Sequence, residues 1–139
     1  MQLINDMISL RSKGHADIID ITPDVREILR SNTVREGSVN IFVPGSTGAI
    51  TTIKYENGVL QDLQRFLDEI IPPGRKYEHD LAWGDGNGHS HLRAAVLGPS
   101  LTVPVKNGEL ILGTWQQIVF IDCDNRSRNR NINVQIIGE

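Results

Sequence analysis

The chain has 139 residues, 22% charged and 39% hydrophobic, with a formal net charge of −3 and a pI near 5.8. This length lets a single domain, 1–139, bury a core without covalent staples, and the acidic balance excludes a general nucleic-acid binder, whose phosphate contacts need a basic face. One cysteine, Cys123, excludes an internal disulfide framework and fits a reducing compartment, and no apolar run approaches the ~18 residues of a membrane span, so a soluble, cytoplasmic protein without a membrane partner is expected.

Residues 2–11 and 16–21 read as strands joined by the turn-prone Ser12-Lys-Gly14, with β-branched Ile18, Ile19 and Ile21 in the second. Thr22-Pro23-Asp24 then marks a helix start, supplying a hydroxyl able to cap, a proline for the first turn and an acid near the positive helix end. That helix runs to about Ser31 and buries Val25, Ile28 and Leu29. A strand over Val39–Val43 breaks at Pro44-Gly-Ser-Thr-Gly48 before an extended run, Ala49–Tyr55. The loop's hydroxyls and bare amides suit either a ligand or an ordinary turn.

Val59, Leu60, Leu63, Phe66, Leu67, Ile70 and Ile71 repeat at helical spacing, and Pro72-Pro73-Gly74 ends the element. Glu56 before it reads as an exposed acid near the helix N-terminus, with a reach back to Ser46-Thr47 as the alternative. The stretch Tyr77–His91 comes next, holding three of the four histidines with two aspartates, an asparagine and three glycines. Gly88–Leu97 reads as a short helix, with Asn87 as N-cap and Gly98-Pro99 as stop. A glycine-rich loop entering a helix points free amides and the positive dipole end at an anion.

His89 and His91 share a face only on a strand; on a helix they lie about 200° apart. Either could join His79, and Asp85 with it, on a metal. Leu101–Val105 and Glu109–Leu112 flank an Asn107-Gly108 hairpin signal. Gly113–Gln117 interrupts, and strands over Ile118–Asp122 and Ile132–Ile137 close the chain. The arginine-rich run between them, Asp124–Asn131, reads as a solvated turn, with anion binding as the alternative. Asp122 and Asp124 flank Cys123 and raise its pKa, which disfavours a nucleophilic thiol. About eight strands in tight-turn succession with about three helices give an α+β class, antiparallel and sandwich-like or curled.

Five motifs in order resemble the YjbQ-like family: His79-Asp80, Trp83-Gly-Asp-Gly-Asn-Gly-His-Ser-His-Leu92, Leu97-Gly-Pro-Ser-Leu-Thr-Val-Pro-Val105, Gly113-Thr-Trp-Gln116 and Ile136-Ile-Gly-Glu139. Members of that family have been described as secondary thiamine-phosphate synthases. The resemblance implies a jelly-roll-like antiparallel β core, a homotrimer, and a metal pocket at histidines matching His79, His89 and His91. It also implies the joining of hydroxymethylpyrimidine pyrophosphate to thiazole phosphate. Many relatives carry a histidine followed by two hydroxyl residues where this chain has Gly45-Ser46-Thr47.

The resulting expectation is a transferase-like enzyme acting on phosphorylated small molecules. Asp85 serves as metal contact or general base and Asn87 as an orienting group. The amides around Gly86 and Gly88, a divalent metal (Mg²⁺ or Zn²⁺) and the hydroxyls of Ser46 and Thr47 hold the anion, while Thr114 and Gln116 line the pocket. Trp115 is read as core, with stacking on a heterocycle as the alternative. A non-catalytic trimeric binding protein and a metal-dependent phosphate-ester hydrolase are the competing functions.

Overall fold

A computed structural model describes residues 1–139. The elements run β1 (Gln2–Ser12), β2 (Asp17–Asp20), α1 (Thr22–Asn32), β3 (Gly37–Phe42), β4 (Gly48–Ile53), α2 (Asn57–Ile70), α3 (Glu78–Trp83), α4 (Gly88–Leu97), β5 (Ser100–Lys106), β6 (Glu109–Leu110), β7 (Gln117–Asp122) and β8 (Arg128–Gly138). Five strands form one sheet in the order β1-β8-β3-β5-β6, and three form a second in the order β2-β7-β4. Every pairing is antiparallel.

The class is therefore α+β. Four helices are present where about three are expected, because Glu78–Trp83, inside the polar stretch, closes into a short helix of its own.

The layers follow from which side chains alternate inward. Ile8, Val39, Ile41, Val103, Ile132, Val134 and Ile136 on the large sheet share one core with Ile50, Ile118 and Phe120 on the small one, and Val25 and Leu29 of α1 complete it. On the other face of the small sheet, Ala49, Val119 and Ile121 pack with Leu67, and with the partly buried Leu60 and Leu63 of α2 and Leu97 of α4. The arrangement is sheet, sheet, helix, with β7 in the middle. Burial on both faces explains why β7 reads as an unbroken apolar run rather than an alternating one.

Three local readings are corrected. Thr22 does not cap α1: its hydroxyl accepts from the Ile118 N–H at 2.8 Å and so ties the helix start to β7. Trp115 is not core; it is 69% exposed, with Lys54 Nζ 5.3 Å from its ring centroid. Only the first half of the arginine-rich run, Asp124–Ser127, is a turn: β8 begins at Arg128 to match the full length of β1, pairing Arg128 with Ser12 and Arg130 with Leu10. No helix is long and apolar enough to cross a membrane.

Candidate functional site

The polar stretch folds as helix, turn, helix. Gly84 ends α3 in the left-handed region at φ +66° and Gly86 repeats that conformation, which a side chain at either position would oppose. Gly88 begins α4 so close to Tyr77 that an added Cβ would lie 2.7 Å from Tyr77 Cβ. The turn is then fastened by the chain's own carboxylates. Asp80 Oδ1 accepts from the Gly88 N–H at 2.9 Å, and Asp85 Oδ1 accepts from the Asn87 N–H at 3.1 Å. Two of the amides expected to face an anion are thus already satisfied.

This turn brings His79, Asp85 and His91 together, with one ligand atom from each lying within 4.8 Å of the others. His79 Nε2 donates to Asp85, at 3.1 Å from Oδ1 and 3.2 Å from Oδ2. The His79 and His91 rings meet edge to face with centroids 4.6 Å apart. The Asn87 N–H, and after it the His79 side chain, hold the Asp85 carboxyl below the usual aspartate range. His91 reaches the neighbouring loop, where its Nδ1 donates to the Ser46 carbonyl at 3.1 Å.

The expected third histidine stands outside this cluster, and Asp85 takes its place. His89 is only 4% exposed. The cause is helix geometry: two residues on, His91 faces the loop while His89 faces inward. Burial first, and the positive charge of Arg93 second, push the His89 pKa down. Its Nδ1 has no partner, and neither does Oδ1 of Asn87, whose buried side chain makes no capping bond.

The remaining expected residues divide. Ser46 lines a cavity of about 190 Å³ with Gly45, Gly48, His91 and Ala94. Thr47 is buried, and its hydroxyl accepts from Arg130 Nη2 at 2.7 Å. Thr114 is exposed. Gln116 belongs to a different cavity, with Thr52, Leu97 and Ser100, where its Nε2 donates to Thr52 Oγ1 at 3.2 Å. Glu56 caps α2 by accepting from the Gly58 N–H and does not reach back to the loop.

Beneath the loop lies a buried ionic cluster that the expected site residues do not include. Arg130 Nε and Nη2 each donate to Asp122 at 2.8 Å, Arg128 Nε donates to Asp124 at 2.9 Å, and both carboxylates are fully enclosed. The period-two spacing of Asp122 with Asp124 and of Arg128 with Arg130 is its only trace in the sequence. Cys123 between the acids is buried, and burial pushes its thiol up to about 12. That agrees with the expectation of an inert cysteine, with desolvation rather than the flanking carboxylates as the larger cause.

A family model described as "UPF0047 protein YjbQ-like" matches residues 6–139. A UPF0047 protein of Methanothermobacter thermautotrophicus is 40% identical over 139 residues, covering 100% of this chain and 95% of that one. Another, from Archaeoglobus fulgidus, is 38% identical over 125 residues and covers 90% of this chain and 95% of its own. Among solved structures, a YbjQ-like protein of unknown function from Sulfolobus solfataricus superposes with a TM-score of 0.94 at 34% identity, covering 99% of both chains.

Proposed function

We propose that this chain, which belongs to the UPF0047 YjbQ-like family, is a metal-dependent enzyme of transferase type acting on phosphorylated small molecules. The reading is carried by one observation, the convergence of two imidazoles and a carboxylate within 4.8 Å. That donor set fits a first-row transition ion such as Zn²⁺ better than Mg²⁺, which prefers an all-oxygen shell. His79, Asp85 and His91 would hold the ion. When bound, the ion would neutralise charge on a phosphoryl or pyrophosphoryl group.

The chain's own groups supply the rest. The cavity of Gly45, Ser46, Gly48 and Ala94 beside His91 offers small side chains and accessible backbone to a phosphorylated ligand. In thiamine-phosphate formation the thiazole nitrogen attacks the pyrimidine methylene, the new C–N bond replaces the C–O bond to pyrophosphate, and pyrophosphate leaves with the electron pair. No enzyme nucleophile is needed, which agrees with the buried, fully protonated Cys123. The homotrimer belongs to the same proposal, supported by exposed Leu3, Met7, Phe42 and Ile137 on the outer face of the large sheet.

A second reading is a binding protein without turnover. It is favoured by the carboxylates: the Asn87 N–H and His79 hold the Asp85 carboxyl below the usual aspartate range, which makes it a weak base, and Glu56 is spent as a helix cap, so neither carboxylate is suited to act as a general base.

One set of measurements separates the two. Zn²⁺ binding is followed by calorimetry, and the purified protein is then incubated with both phosphorylated precursors and either metal. Thiamine phosphate that disappears in His91→Ala and Asp85→Ala supports the enzyme. Stoichiometric Zn²⁺ binding without product supports the binding protein. Absence of Zn²⁺ binding removes both.

A further inference from the structure

We propose that Arg130 is a positioning residue for the His91 imidazole. Acting through Thr47, it sets the Gly45–Gly48 loop so that the Ser46 carbonyl fixes the proton of His91 on Nδ1. The inference deepens the proposed metal centre and rests on it only for the use made of the freed nitrogen.

A carbonyl oxygen can only accept, so the 3.1 Å contact from His91 Nδ1 to Ser46 requires the proton on Nδ1. The neutral ring then carries its lone pair on Nε2. This is the arrangement that metal-binding histidines commonly share, with one nitrogen donating to a carbonyl and the other left for the ion. What matters next is what holds that carbonyl in place, because Ser46 lies in a loop containing two glycines.

Thr47 holds it twice. Its carbonyl accepts from the Cys123 N–H at 2.8 Å, and its hydroxyl accepts from Arg130 Nη2 at 2.7 Å. Arg130 is itself immobilised: it is 10% exposed, forked onto Asp122 by two bonds of 2.8 Å, and its guanidinium carbon lies 5.7 Å from the Phe120 ring centroid. Its Nη1 sits 3.6 Å from where a Cβ on Gly45 would be, so the guanidinium lies directly against the loop backbone. Asp122 also accepts from the Ser12 hydroxyl. A rigid ionic cluster between β7 and β8 therefore dictates the position of a loop atom that reads the tautomer of a histidine on α4. Charge is not transmitted along this path; the coupling is positional.

Replacing Arg130 would leave Asp122 buried without its cation and could unfold the chain. The test therefore uses Thr47→Val, which keeps the shape and the Asp122 pairing but removes the hydroxyl, together with Thr47→Ser, which restores it. The tautomer is read in the full-length metal-free protein from long-range ¹H–¹⁵N spectra of the imidazoles, with amide spectra reporting the fold. In the native chain His91 should be the Nδ1–H form. In Thr47→Val it should become a mixture, with Zn²⁺ affinity falling about tenfold, and Thr47→Ser should recover both.

A folded Thr47→Val whose His91 remains purely Nδ1–H overturns the proposal. If the tautomer shifts while the native protein binds no Zn²⁺, the positioning role stands and the metal reading fails instead.

Discussion

Asp80→Ala tests whether the turn before α4 is a vacant anion cradle or one already filled by the protein. In the native chain the first amide of α4 donates to Asp80 Oδ1 at 2.9 Å, and the carboxylate sits at the positive end of a ten-residue helix. Losing a capping acceptor costs about 1 kcal/mol, and removing a negative charge from a helix N-terminus costs about 0.3–1 kcal/mol. Asp80→Ala should therefore lose about 1–2 kcal/mol, whereas Asp80→Asn, which keeps an acceptor oxygen, should lose only the second part. Urea unfolding reads this as a lower midpoint at unchanged slope. Inorganic phosphate should then stabilise Asp80→Ala more than the native protein, because the freed Gly88 N–H can donate to an external anion. Equal phosphate stabilisation of both proteins, or an Asp80→Ala midpoint identical to native, would refute the self-capped reading.

Three further outcomes follow from the packing and the charges. The folded His89 has a pKa depressed below 6.5, so the stability it permits is complete above that value and declines as pH falls through it toward the folded pKa; thermal unfolding between pH 7.5 and 5 should show a slope that His89→Gln flattens. Cys123, with its thiol pushed up to about 12, should resist a thiol reagent at pH 8 in the native state and react at once in urea, and native-state labelling at the unfolded rate would contradict its burial. Leu67→Ala removes the α2 side chain sealed against Val119 and Ile121 and should cost about 2–5 kcal/mol, measured by denaturant unfolding; a loss below about 1 kcal/mol would mean that the helix layer repacks.

Most elements could be read because periodicity and turn chemistry agree with the tertiary packing. The stripe on α2, the proline at the start of α1 and Asn107-Gly108 all specify what forms, and Asn107 and Gly108 do take positive φ, at 53° and 77°. Failures occurred where a partner far along the chain decides the outcome. Thr22 looks like a cap until Ile118 offers both of its backbone groups. Leu112 and Ile111 look like strand, yet the β5–β6 ladder has only the pairs Val105 with Leu110 and Lys106 with Glu109. Trp115 resembles core by composition alone, but the segment leading into β7 runs along the surface.

At the candidate site, density of polar residues marks the fifteen-residue stretch within which His79, Asp85 and His91 converge, and helix geometry sorts them. Because α4 begins at Gly88, His89 turns inward and His91 outward, so only one of the pair can meet His79; the open corner is filled by Asp85, which the Gly84 and Gly86 turns swing back. No local rule could reveal why His91 faces the loop in one tautomer, since the bond between Arg130 and Thr47 joins residues 83 positions apart. Arg126 does face solvent, whereas Arg130 reads as solvent-facing charge only while its strand is unassigned. Once β8 is paired along all of β1, Arg130 must point to one face of the sheet, and the two acids at the end of β7 are what make that face tolerable for a buried cation.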